Sequence, residues 1–240
     1  MILAAAAGEL SAPEMLPVRV EYPSLAMRNG QSAAALIDVV VDPDGLPVIC
    51  KSLEMFGNKK FAGDICELQG VFRYRPAVSI DGQPTYGIVR VLMKYALLGS
   101  RQGNSIKKLS APGMEFEVIG AKMRAGSRYP DIEKFDNVSG ELELVSRPDV
   151  TLDVLALPGI ESNYLDQRVI VAVDASGKVI ECADDETGEN ENSHTAYAKA
   201  ACQQLANLTI AEPLMVGETS VAYVRALQVR FAVSSNNRSE

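Results

Sequence analysis

The chain has no tryptophan and only one histidine, His194, among its 240 residues. A single imidazole, with no cysteine nucleophile and no second histidine at a known spacing, supports neither nucleophilic catalysis nor a zinc site. In the run Ser193-His194-Thr195 it reads as a helix-capping or solvated residue. Gly-x-Ser-x-Gly, Gly-x-Gly-x-x-Gly and the phosphate loop are all missing. A carboxylate-pair hydrolase would need none of these, but domains of half this chain's length leave little room for a deep substrate cleft. A non-enzymatic protein without a cofactor or metal is expected.

No run approaches the ~20 apolar residues of a membrane-spanning helix. Basic residues are also scarce: 23 Lys and Arg face 31 Asp and Glu, a net charge of −8, which argues against a nucleic-acid partner. Lys107-Lys108 reads as a solvated pair. The acids Asp184, Asp185, Glu186, Glu189 and Glu191 read as a solvated loop, because their spacing is not that of a calcium site.

What the sequence does contain is a packed-core composition, 47% hydrophobic and 22% charged, and an internal repeat. Val39-Val-Val-Asp-Pro-Asp-Gly-Leu-Pro-Val-Ile-Cys50 and Val171-Ala-Val-Asp-Ala-Ser-Gly-Lys-Val-Ile-Glu-Cys182 share Val-x-Val-Asp-x-x-Gly, four residues, then Cys, at positions 132 apart. Each reads as a β-hairpin, with Asp42 and Asp174 capping the turn and Gly45 and Gly177 supplying positive φ. A helical period follows: Phe61, Ile65 and Leu68 with Cys66 alongside, then Tyr197, Ala201, Leu205 and Leu208 with Cys202 alongside. Loops from Pro76 to Gly82 and Pro213 to Gly217 lead to closing strands that align as Val89-Arg90-x-Leu92 and Val224-Arg225-x-Leu227.

The four cysteines include no Cys-x-x-Cys, so neither a zinc ribbon nor a thioredoxin-type pair is spaced correctly. Their equivalent places in the two copies predict disulfides Cys50–Cys66 and Cys182–Cys202, the alternative being four buried free thiols. Each loop closure would contribute roughly 3 kcal/mol. Disulfides predict export, and the apolar, small-residue stretch Met1–Gly8 reads as the tail of a signal peptide.

The first copy resembles the C-terminal domain of the TonB family. Tyr22-Pro23-Ser-Leu-Ala26-Met-Arg28-Asn-Gly30 followed by the Asp42–Gly45 hairpin, and Phe72-Arg-Tyr-Arg-Pro76-Ala77 with Gly82-Gln-Pro84, are similar to its motifs over about residues 18–97. The second copy has Glu212-Pro213-Leu214 in place of Pro-Ala and no Tyr-Pro opening. The resemblance implies an α+β fold of two tandem modules, each a small antiparallel sheet with helices on one face. The expected boundaries are 1–17 as a signal remnant or flexible terminus, 18–98 as module one, 99–160 as linker and bridging strands, 161–234 as module two and 235–240 as a tail. It further implies a periplasmic protein that binds outer-membrane transporter peptides or other envelope proteins by edge-strand pairing. The edges would lie at Tyr86–Tyr95 and Val221–Phe231, with Val89, Arg90, Val91, Leu92, Val224, Arg225, Ala226 and Leu227 lining them. The alternative is an envelope scaffold or homodimer using the same fold without energy transduction. Between the copies, Gly99–Asn104 reads as a turn-rich linker, and 114–119, 141–145 and 150–155 read as strands that extend copy two or form a bridging unit.

Overall fold

A computed structural model describes residues 9–111, 113–120, 148–185, 195–206, 208–210 and 212–234. In chain order the elements are β1 (Glu14–Met15), α1 (Ser24–Arg28), β2 (Ala33–Val41), β3 (Pro47–Gly57), α2 (Lys59–Asp64), a 3-10 segment (Ile65–Val71), β4 (Tyr74–Arg75), β5 (Ala77–Val78), β6 (Pro84–Leu97) and α3 (Arg101–Lys107). There follow β7 (Met114–Gly120), β8 (Val150–Val154), β9 (Tyr164–Val173), β10 (Val179–Asp184), α4 (Thr195–Leu205), β11 (Leu214–Val216), β12 (Thr219–Val221) and β13 (Tyr223–Val233). The fold is mixed α+β with sheet predominating. The expected strand 141–145, His194, the acids 186–191, the apolar start 1–8 and the tail 235–240 lie outside the described residues.

Local chemistry builds the two hairpins alike. Asp42 Oδ1 accepts from the N–H groups of Asp44 (3.0 Å) and Leu46 (2.8 Å), and Asp174 Oδ1 from those of Ser176 (2.8 Å) and Lys178 (3.1 Å). The Ser176 hydroxyl and these backbone donors hold the Asp174 carboxyl below its ordinary pKa. Gly45 and Gly177 have φ of 81° and 87°, and their carbonyls accept from Tyr74 N (2.9 Å) and Ile210 N (3.0 Å) in the returning chain. After each turn the return strand carries a bulge, at Val48 and at Ile180.

The hairpins do not form separate sheets. A single nine-stranded sheet runs β10-β9-β13-β6-β2-β3, with β5 and β7 alongside β6 and β8 alongside β13. Its centre is a parallel pairing of the two closing strands, Tyr223–Arg225 of β13 against Tyr86–Ile88 of β6. The strand order is mirrored about this parallel pairing, β13-β9-β10 on one side and β6-β2-β3 on the other, so the halves are related by about half a turn around the strand direction and present opposite faces. Accordingly, α2 and α1 cover Ala33, Ile37, Val39, Val91, Met93 and Tyr95 on one side. Helix α4 covers Val169, Val171, Leu227, Val229 and Phe231 on the other, where Tyr86 and Ile88 of β6 also pack.

Beyond the central pairing, β6 and β13 splay and each takes a new parallel neighbour. β7 joins β6 from Val91 to Leu97, and β8 joins β13 from Val229 to Val233. Among its described residues, the middle of the chain therefore supplies one strand to each half. The expected Gly99–Asn104 linker is instead the start of helix α3. Ser100 caps it, its Oγ accepting from Gly103 N at 2.9 Å, and Ile106 and Leu109 bury against Ala34, Leu36, Leu92 and Ala96 on the second face of β2 and β6. The turn-forming residues Ser100 and Gly103 serve a helix because a strand face needed covering.

Candidate functional site

The cysteines pair as the repeat predicts. Cys50–Cys66 ties β3 to the 3-10 segment and Cys182–Cys202 ties β10 to α4, with Cα separations of 5.6 and 5.3 Å, and no described cysteine is free. Cys50 lies opposite Val39 and Cys182 opposite Val171, so each staple holds a helix over the outermost strand of its half. An aromatic pair repeats with them: Phe61 meets Tyr95 at 5.2 Å between ring centroids and Tyr197 meets Phe231 at 5.4 Å. Two disulfides point to an oxidising, extracytoplasmic compartment. Among the described residues no helix is long and apolar enough to cross a membrane.

The expected binding edges are not edges. Val89, Val91, Leu92, Val224 and Leu227 are buried. β6 is flanked by β2 and then by β13 and β7, and β13 by β9 and then by β6 and β8. An unpaired strand edge seeks a partner, and a second copy on the same chain supplies one at high effective concentration. The closing strands thus satisfy each other over Tyr86–Ile88 and Tyr223–Arg225, and β7 and β8 take over beyond.

The alignment of the closing strands also shifts by one residue. Val89 pairs with Val39, whereas it is Arg225 that pairs with the equivalent Val171. Arg225 therefore matches Val89, and Ala226 matches Arg90. Because the halves are inverted, truly equivalent arginines would lie on opposite faces; the slip brings Arg90 and Arg225 to the same one.

There they meet two carboxylates at the fork where β6 and β13 part. Arg90 binds Asp38 through Nε (2.8 Å) and Nη2 (3.1 Å), and its Nη1 lies 2.9 Å from Asp149 Oδ1. Arg225 Nη2 lies 3.2 Å from that same oxygen and 3.9 Å from Asp38 Oδ2. Asp149 Oδ2 accepts from Gln228 N at 2.9 Å, fixing the start of β8. Burial opposes the Arg90 charge, yet hydrogen bonding and Coulomb attraction from Asp38 and Asp149 outweigh it and hold the guanidinium above its ordinary pKa. The fork leaves a cleft of about 110 Å³ also lined by Asp166 and Arg168. Those two are paired as well, with Arg230 and Asp185. Sequence inspection placed Arg90 and Arg225 at an interface but missed Asp38 and Asp149, whose role depends on the splayed strands.

The main path of the sheet ends at β3 and β10, each with one strand neighbour among the described residues; the flanking strands β7 and β8 likewise have one each. Beside β10 a groove of about 330 Å³ runs between the strand and α4, lined by Val179, Ile180, Glu181, Lys199, Gln203 and Ala206 around the disulfide. Ile180 is 56% exposed there. The Val179 N–H already donates to the Leu208 carbonyl at 2.8 Å, so an extended chain laid in this groove would pair with β10 beyond Val179 and meet helix side chains on its other side. No cluster of three metal-binding side chains occurs among the described residues.

No family model, curated protein or solved structure matches the chain.

Proposed function

We propose that this is a non-enzymatic, TonB-like periplasmic protein that binds an extended segment of a partner by strand pairing, at the outer edge β10 rather than at the closing strands. The carrying observation is the groove between β10 and α4, open beside a strand with one strand neighbour among the described residues and braced by Cys182–Cys202. Backbone pairing provides affinity with little demand on sequence, and a groove beside it selects alternate side chains. The bulge at Ile180 confines regular pairing to Glu181–Asp184, so the recognised segment is short. Lys199 favours an acidic side chain in the bound segment, and Ile180 an apolar one.

The test is titration of the full chain with short transporter-derived peptides, followed by backbone amide shifts. Shifts confined to β10 and α4, lost in Ala206→Trp, support this assignment. Shifts at β6 or β13, or no binding at high micromolar peptide, overturn it. A scaffold reading gains weight from one specific finding, the mutual pairing of the closing strands, which removes the edges that an energy transducer of this resemblance would use.

A further inference from the structure

We infer that the other outer edge, β3, joins to β3 of a second copy, running the two sheets into one across a two-fold axis. Three observations meet on this strand. It is eleven residues long with β2 as its one strand neighbour among the described residues. It exposes four apolar side chains, Val48, Ile49, Leu53 and Met55, on a strand with one open side. Its charges are self-complementary.

The last point depends on the bulge. Lys51 lies opposite Asp38 and Glu54 opposite Leu36, so the extra residue at Leu53 returns Glu54 to the face that Lys51 occupies. Ile49, opposite Val40, and Phe56, opposite Ala34, share that face. Neither Lys51 nor Glu54 has an ion-pair partner among the described residues. Set antiparallel to itself about the Ser52–Leu53 step, β3 places Lys51 against Glu54 of the second copy and Glu54 against its Lys51. Ile49 then faces Phe56 on either side. One register matches charge with charge and apolar with apolar, and a two-fold axis repeats every contact. A foreign strand would have to reproduce this pattern, whereas a second copy carries it already. β10 lacks the property, since its only charges are Glu181 and Asp184.

The surface is distinct from the partner groove on β10, so each can be tested alone. Sedimentation equilibrium on the full chain is expected to give twice the 25.8 kDa chain mass. Lys51→Glu sets like charges opposite each other twice and should weaken association by about tenfold or more. The charge swap Lys51→Glu with Glu54→Lys restores the match and should restore the dimer, an outcome that misfolding of the single variant could not produce. Wild-type protein that stays monomeric at high micromolar concentration overturns the inference. A Lys51→Glu dimer as tight as wild type, or a swap that fails to recover, overturns it also.

Discussion

Arg90 and Arg225 reach the same oxygen of Asp149, at 2.9 and 3.2 Å, from strands belonging to opposite halves of the molecule. With Asp38 they form a balanced set of two cations and two anions, with side chains between 13% and 23% exposed. Asp149 is the only one of the four that lies outside the repeat. It comes from the middle of the chain and closes the fork where the two copies part.

Removing Asp149 should therefore cost more than an ordinary surface ion pair. Asp149→Ala leaves two partly buried guanidinium groups sharing Asp38 and frees the Gln228 amide. A loss of about 2–3 kcal/mol is expected in urea unfolding. Asp166→Ala, which breaks the more exposed pair with Arg230, should cost about 1 kcal/mol or less. Equal losses would show that the fork carries no special weight.

The staples close loops of 16 and 20 residues. Replacing either pair by serine should lower stability by roughly 3 kcal/mol, chiefly by freeing the unfolded chain. Thiol titration of the unfolded, unreduced protein should find no free thiol. Four reactive thiols would remove the basis for an oxidising compartment.

Gly45→Ala combines two penalties. At φ 81° a side chain is strained, and the new Cβ would sit 2.2 Å from the Tyr74 carbonyl oxygen. Gly159→Ala has a similar φ of 79° with nothing within 4 Å, so it should cost only about 1 kcal/mol. A loss at Gly45 several times larger is expected in thermal or urea unfolding, because the return chain through Tyr74 must move.

Alkaline pH should act through the core. Burial raises Tyr22 to about 12 despite the opposing Ser32 hydrogen bond. Burial also raises Tyr95 to about 12, with Tyr22 adding to it. In the unfolded chain both titrate near 10. A pKa raised by folding contributes stability that is fully present below pH 10 and lost as pH climbs through 12. Tyrosinate absorbance should show these two ionising together with loss of structure, and free ionisation near pH 10 would contradict their burial against Phe61.

Much of each half was legible in the sequence because it rests on short-range chemistry. Asp42 and Gly45, like Asp174 and Gly177, close their turns through atoms four residues apart. Cys66 and Cys202 fall on helical periods beside Phe61 and Tyr197, so their pairing with the hairpin cysteines followed. Helix α3 was misread because Ser100, Gly103 and Asn104 favour turns in isolation, and only the exposed face of β2 and β6 makes a helix there worthwhile.

By itself, then, the sequence determined the two hairpins, their staples and the α+β class, all set by contacts within a few dozen residues. Tertiary structure alone decided that Val89 to Leu92 and Val224 to Leu227 lie inside the sheet, that the halves face opposite ways, and that Arg90 and Arg225 converge on Asp149. The reason is physical: backbone N–H and C=O groups look alike at every residue. Which strand pairs with which, and in what register, is chosen by the burial and charge of side chains that meet only after the chain has folded.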